Sequence, residues 1–450
     1  MKKTIFLIGI LLLLLLAACG DDQNEQANGD SDNSDGSDNG EEKTTISFWH
    51  NFAGDDLRAR TIRDRIDQFN EDNPNITVEA EAIPVDGYRQ RISTVAAAQE
   101  LPDVFFTYSG SFTDQFYEGN LIQPITPLID ENPDWADSFL SSALDIYEYG
   151  DEEDIYSVPV AMSSTSYLFY NKELFEENNV QVPETWDELM DAIDVFNEQG
   201  ITPLAMGNQA PWVAQSTTFG AIADRVTGTD WFMDAVEQNG AFFTDPVFID
   251  ALGYFKELVD ANAYQEGANS IDNTQAEQYF AQGKAAMMIN GSWTISSLAS
   301  SSSEEVLENI GVALVPSIPE GEGRENTITG GPGGGFVLNK NAEGDVKEAG
   351  LELIYYLSND EAQKEIAESN SMVMYDVDID EDKVSPLYYN AFNLVRGAEF
   401  APVYDLYLSA AAGEAINNGL QEIMLGGDLE PVAENLQQAQ AQSVEEDDDE

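Results

Sequence analysis

Two residue types are nearly missing from this 450-residue chain, which has one cysteine and one histidine. A single thiol, Cys19, excludes a disulfide within the chain and any Cys-rich metal site. A single imidazole, His50, cannot supply the ligand set of a zinc hydrolase. It also leaves a Ser/His/Asp triad one possible base, with no Gly-x-Ser-x-Gly elbow to present the nucleophile. Positive charge is scarce as well: 19 Lys and Arg stand against 84 Asp and Glu, a formal charge of −65. Such a chain repels polyanions, which excludes nucleic acid as a partner. Beyond the first twenty residues no apolar run is long enough to span a bilayer, and no period of 20–50 residues marks a solenoid.

What is present begins with a leader. Lys2 and Lys3 precede an apolar stretch, Ile5 to Leu16, and then Leu16-Ala17-Ala18-Cys19. About a dozen apolar residues are too few to cross a membrane, and small residues before the break have the form of a signal peptide over residues 1–19. Leu-Ala-Ala-Cys in this place resembles the bacterial lipobox, which implies a diacylglycerol on the Cys19 thiol and a mature chain anchored to the membrane without spanning it. Residues 20–43 are then polar and acidic, a composition that forms no core and is expected to be a disordered tether. As a random coil it reaches roughly 25–30 Å. The last six residues, 445–450, are an acidic tail.

Acids are spread through the body too. A heavily solvated surface adapted to a saline, halophilic setting is one explanation, and capture of cations such as calcium is another. Asp376-Val-Asp-Ile-Asp380 opens like a calcium loop, but Glu381 replaces the turn glycine and Leu387 stands where a closing glutamate is needed. No metal and no cofactor is therefore expected.

About 400 residues remain for the body, enough for two lobes. Thr45–His50 reads as a strand. A helix from Asp55 to Asn70 follows, with Leu57, Ile62, Ile66 and Phe69 near one face. Ile76, Val78, Ala80 and Ala82 alternate with polar residues in a second strand, a helix carries Tyr88, Ile92 and Val95, and Val104–Thr107 is a short buried strand. The same grammar restarts with a strand at Tyr167–Tyr170. Thr185-Trp-Asp-Glu188 has the form of a capping box, opening a helix that carries Trp186, Leu189, Ile193 and Phe196. Helix Ala276–Gln282, Gly283 and strand Ala285–Ile289 follow. Alternating strands and helices call for α/β lobes, each a mostly parallel sheet flanked by helices, with ligands bound beyond the carboxyl ends of the strands.

Five segments in this order carry a resemblance: Ile46-Ser-Phe-Trp-His50; Leu101-Pro-Asp-Val-Phe105; Val158-Pro-Val-Ala161 with Phe169-Tyr-Asn-Lys-Glu-Leu-Phe175; Pro183-Glu-Thr-Trp-Asp-Glu-Leu189; and Phe280-Ala-Gln-Gly-Lys-Ala-Ala-Met-Met-Ile-Asn-Gly-Ser-Trp293. Together they are similar to the extracellular solute-binding proteins that serve ABC importers, a family that includes the maltose- and oligosaccharide-binding proteins. The resemblance implies a two-lobed periplasmic-binding-protein-like fold with a sugar held in the cleft between lobes. Its expected lobes are residues 44–160 with 315–370 and residues 161–314 with 371–444, with Ser157–Val160 as a crossing. The implied partners are an oligosaccharide and the membrane subunits of an ABC permease, for a monomer on the extracytoplasmic face of the membrane.

Carried over by position, the resemblance implies a site drawn from Trp49, His50 and Asn51, Tyr108 and Ser109, Ser163 and Ser164, Trp212, Trp293, Gly331, and Tyr404 with Asp405. The physical reason stands beside it: a sugar has apolar C–H faces for indole and phenol rings and a rim of hydroxyls for short polar side chains. Each has a structural alternative, and Trp135 and Trp186 are assigned to packing. Where maltose-type relatives often carry acids, this chain has Ser163 and Gly110. The run Gly330-Gly-Pro-Gly-Gly-Gly335 lacks the Lys-Ser/Thr ending of a nucleotide loop, so it is expected to approach the ligand or to turn into a strand at Phe336–Asn339. No catalytic residue is expected. The rival reading is a membrane-anchored glycoside hydrolase using paired carboxylates, which so acidic a chain leaves open; a third, an adhesive scaffold, predicts repeats that are not seen.

Overall fold

The computed structural model describes residues 43–140, 143–150 and 153–448. The expected leader with Cys19 and the expected tether through residue 42 lie outside the described residues, as do the side chains of the tail at 445–450. The strands that frame the site are β1 (Thr44–His50), β2 (Ile76–Ala82), β3 (Val104–Thr107), β4 (Ile122–Gln123), β5 (Met162–Ser164), β6 (Tyr167–Asn171), β7 (Thr202–Ala205), β8 (Ala285–Asn290), β9 (Ile310–Leu314), β10 (Thr327–Pro332), β11 (Gly335–Asn339) and β12 (Glu399–Ala401). The helices that matter here are α1 (Leu57–Asp72), α2 (Val85–Ala97), α3 (Trp186–Glu198), α4 (Asn273–Ala281), α5 (Trp293–Ser301), α6 (Gly344–Tyr356), α7 (Pro386–Arg396) and the single turn α8 (Tyr404–Tyr407).

Two sheets organise the fold. The first is five-stranded, in the order β2-β1-β3-β11-β4, and the second four-stranded, in the order β9-β6-β8-β7. Between them a three-stranded sheet, β12-β10-β5, ties residues 162–164 to 327–332. The segment Ser157–Val160 runs beside the start of β11: the Ser157 hydroxyl donates to the Phe336 carbonyl at 2.9 Å, and the Val160 amide to the Gly334 carbonyl at 3.0 Å.

Expectation and structure differ in the pairing. β1 is parallel to both β2 and β3, as strand–helix–strand units require. β11, however, joins β3 and β4 antiparallel. In the second sheet β8 is parallel to β7 but antiparallel to β6, and β6 is antiparallel to β9. Both sheets are mixed, not mostly parallel. A helical crossover returns the chain in the same direction, whereas a strand entering from a distant part of the chain is free of that constraint. β2 departs in burial as well. Val78 is covered, but Ala80 and Ala82 are exposed, on a strand at the edge of its sheet.

Local chemistry explains the helix starts. Asp56 caps α1 by accepting the Ala59 amide at 3.0 Å. The capping box at α3 is present in both directions, from Thr185 and from Glu188. Asp272 and Gln275 form a second box at the head of α4. The predicted stripe Trp186, Leu189, Ile193 and Phe196 is buried. Along β6 the alternation of side chains sends Tyr167 and Phe169 into the apolar cluster that encloses the first sheet, and Leu168 into the cluster on the other face of the second. Trp135 is core, as expected, its indole donating to the Ser358 carbonyl at 2.8 Å, and Trp186 likewise donates to Glu257 at 2.9 Å. No helix among the described residues is long and apolar enough to cross a membrane.

Candidate functional site

β1 and β3 end side by side, and their carboxyl ends open on a cavity of about 470 Å³ between the two sheets. Its first-sheet wall carries Asn51, Phe106, Tyr108 and Ser109. The Asn51 amide donates to the Tyr108 hydroxyl at 2.9 Å. The Tyr108 ring meets Phe106 and Phe112 edge to face at 5.2 and 5.5 Å, and the Arg89 guanidinium lies 4.2 Å over it. Ser109 donates to the Pro332 carbonyl at 2.8 Å, which ties this wall to the chain leaving β10.

The second-sheet wall is built around two indoles. Trp212 and Trp293 pack edge to face, ring centres 5.6 Å apart at 66°, and both line the cavity. Trp293 begins α5, and its ring lies back over Gly291, where a Cβ would fall 2.2 Å from it. Glycine before the helix is therefore what lets the indole lie flat at the strand end. Ser163 lines the cavity from β5, opposite Gly331 in register.

Several contacts cross the gap. Arg89 of α2 forms an ion pair with Asp405 of α8 at 3.0 Å. The Ser216 hydroxyl donates to the other Asp405 oxygen at 3.2 Å. The Arg58 amide of α1 donates to Ser296 of α5 at 3.0 Å. Gly110 explains itself here: its φ is +70°, and a Cβ would come within 2.3 Å of the Leu406 carbonyl. Any side chain at this position, an acid included, would push α8 away.

Seven of the residues singled out from the sequence line the cavity: Asn51, Tyr108, Ser109, Ser163, Trp212, Trp293 and Asp405. Trp49, His50, Ser164, Gly331 and Tyr404 are not among the lining residues, and each has another role. Trp49 carries the Arg91 guanidinium 4.5 Å over its ring. His50 is 1% exposed, packed against Phe48 and Phe52, and its Nδ1 accepts the Phe52 amide at 3.2 Å. Burial, with Arg63 adding to it, pushes its pKa down to about 4, so the imidazole is neutral and holds the turn that presents Asn51. Ser164 is fully buried, and its carbonyl accepts the Ser292 amide at 2.7 Å. Tyr404 stacks on Phe232 at 4.0 Å within the core. At Gly331 a Cβ would meet nothing within 4 Å, while the neighbouring glycines are crowded: at Gly333 a Cβ would fall 2.4 Å from the Ala161 carbonyl. The glycine run thus lets two chains pass closely between the sheets, and Gly333 and Gly334 also line the cavity.

The sequence reading missed Arg58, Arg89, Asp56, Asp86, Asp272 and Glu277 on the wall. Asp56 and Asp272 could have been found as N-caps at the right places. Glu277 is 3% exposed and takes hydrogen bonds from Thr294 at 2.8 Å, Ser297 at 2.5 Å and Asn273 at 3.1 Å. Nothing distinguishes it among 84 acids in the sequence. Three polar atoms of lining residues are buried without a hydrogen-bond partner: Asn51 Oδ1, Arg58 Nε and Trp293 Nε1. One acceptor and two donors are left for something else to satisfy.

Residues 55–364 match the model of the bacterial extracellular solute-binding protein family. The chain belongs to that family. The multiple sugar-binding protein of Streptococcus mutans is 24% identical over 393 residues, 86% of this chain and 85% of that protein. The maltotriose-binding protein of Pyrococcus abyssi is 25% identical over 324 residues, 72% of this chain and 64% of that protein. Among solved structures, a chitin oligosaccharide binding protein superposes with a TM-score of 0.82 at 25% identity, over 89% of this chain and 99% of that one. A protein from work on xylan utilization by Caldanaerobius polysaccharolyticus gives 0.80 at 29% identity, over 88% and 99%. The two-lobed fold of these solute-binding proteins is the fold of this chain.

Proposed function

We propose that this solute-binding protein is the sugar receptor of an ABC importer, tethered outside the cell through a lipid on Cys19. It would capture an oligosaccharide by closure of two lobes, residues 44–160 with 315–370 and 161–314 with 371–444, and hand it unaltered to the permease subunits. The observation that carries this reading is the cavity wall. An edge-to-face indole pair offers apolar area to a sugar face, beside three buried polar atoms that lack partners. A volume of about 470 Å³ is within the range of small-molecule sites, about 300–1,000 Å³. The sugar-binding relatives supply independent support.

Closure follows from differential contact. A ligand that touches Asn51 and Tyr108 on one side and Trp212 and Trp293 on the other gains contacts on both walls when the gap is narrow, so it favours that form. A ligand held by one wall would bind without switching. The remaining elements of the reading are a signal peptide over 1–19, a monomeric state and an acidic surface suited to a saline medium.

The deciding experiment is a thermal-shift screen of the purified protein against mono- and oligosaccharides, with chromatographic analysis of every hit. A receptor gives a saturable shift and returns the sugar intact. Appearance of shorter products would favour the anchored hydrolase, and no shift with any saccharide would remove the sugar reading. For the anchor, Cys19→Ser should release the protein into the medium.

A further inference from the structure

The carboxylates on the cavity wall come from both sides of the gap. Asp56, the N-cap of α1, and Asp86, in the first turn of α2, stand on the first-sheet side. Asp272, the N-cap of α4, and Glu277, within α4, stand on the second. All four line the cavity. Like-charge repulsion acts among them, Asp56 adding to the upward shift of Glu277 and Asp272 to that of Asp86.

Their partners are uncharged. Asp56 accepts the Ala59 amide, Asp272 the Gln275 amide, and Glu277 takes Thr294, Ser297 and Asn273. Among the described residues none of the four is in an ion pair. Two guanidinium groups line the same cavity, but Arg89 is committed to Asp405, and Arg58, 5.6 Å over the Phe52 ring and in no ion pair among the described residues, is a single positive charge outnumbered by the four carboxylates. Burial pushes the Glu277 carboxyl up to about 7, with Asp56 across the gap adding to the rise. A hydroxyl or amine donor brought by a ligand would favour the charged carboxylate, whereas a ligand carboxylate would add negative charge to a wall whose four carboxylates have no ion-pair partner among the described residues. The buried, unpartnered Asn51 Oδ1 on the same wall is a further acceptor in want of a donor.

We infer that the four carboxylates Asp56, Asp86, Asp272 and Glu277, lining the cleft from both sides, sort the ligand by charge: the cleft takes neutral and amine-bearing saccharides and rejects those carrying a carboxylate. The inference rests on the sugar-receptor reading and names the class of sugar that the site admits. The discrimination is by repulsion and by unmatched buried charge, which a closed, low-dielectric cleft amplifies.

The test uses matched trisaccharides, α-1,4- and β-1,4-linked, of glucose, glucosamine and glucuronic acid, titrated calorimetrically into the purified protein at low and high salt. In the linkage that binds, the glucosamine trimer should bind at least as well as the glucose trimer and the glucuronate trimer at least about tenfold more weakly, with the gap narrowing at high salt. Equal affinity for glucose and glucuronate trimers overturns the inference while leaving the receptor reading intact; no saccharide bound in this or the wider screen removes both. Asp86→Asn, at an exposed rim position, and Glu277→Gln, which keeps the side-chain volume, should each narrow the glucose-to-glucuronate ratio by at least about threefold. An unchanged ratio in two folded variants would refute the assignment to these carboxylates.

Discussion

Replacing Trp293 by alanine should weaken saccharide binding by roughly 10–30-fold while leaving the protein folded. A sugar ring laid on one indole face removes roughly 60–80 Å² of apolar surface from water, which at about 25 cal/mol per Å² is about 1.5–2 kcal/mol, or one to one and a half decades of affinity. Trp212→Ala should cost a similar amount. The two are in edge-to-face contact at 5.6 Å, an arrangement worth about 0.5–1.5 kcal/mol to the wall itself, so the double variant should lose less than the sum of the two singles. Both rings are partly exposed, which is why the fold should tolerate their loss. Calorimetry with the best saccharide from the screen gives the affinities, and thermal melting checks the fold. If each single variant keeps its affinity within about twofold at an unchanged melting temperature, the indole pair is not the sugar wall and the reasoning fails.

Other outcomes follow from the same geometry. His50 has a folded pKa near 4 against 6.5 for the free group, so the unfolded chain binds the extra proton between those values. Stability should be independent of His50 above about pH 6.5 and fall by roughly 3 kcal/mol as pH drops from there toward 4. In an untagged protein its imidazole is the one histidine signal by NMR, and a chemical shift that titrates near 6.5 would contradict its burial. Gly110→Ala should destabilise by about 2–4 kcal/mol in chemical denaturation, because φ is +70° and the new Cβ would meet the Leu406 carbonyl; a neutral result would mean that α8 moves freely. Arg225 is 2% exposed beside Asp224 and donates to the carbonyls of Val315 and Thr327. Arg225→Met should therefore cost about 3–5 kcal/mol by leaving a buried aspartate unpaired, and a loss under 1 kcal/mol would show that Asp224 finds another partner.

The elements of the fold were legible because their signals are local. The cap at Thr185 and the stripe Trp186, Leu189, Ile193 and Phe196 depend on residues within a few positions of one another, and the structure has both. The two indoles, Asn51 and Tyr108 came from the family resemblance carried over by position, and all four line the cavity. His50 and Tyr404 were not separable from their neighbours by that logic. Alternate residues of β1 point opposite ways, and which face becomes core depends on Phe48, Phe52 and Phe336 packing together from distant parts of the chain.

By itself the sequence determined that the chain is acidic, folds as alternating strands and helices, and lacks the thiols and imidazoles of common hydrolytic and metal sites. Tertiary structure alone decided that β11 and β9 enter their sheets antiparallel, that Arg89 meets Asp405 across 316 positions of chain, and that Asp56, Asp86, Asp272 and Glu277 line one cavity. The reason is physical. Helix caps and hydrophobic periods act over a few residues, whereas a charge responds to every group within several ångströms whatever its place in the chain, and only the fold sets those distances.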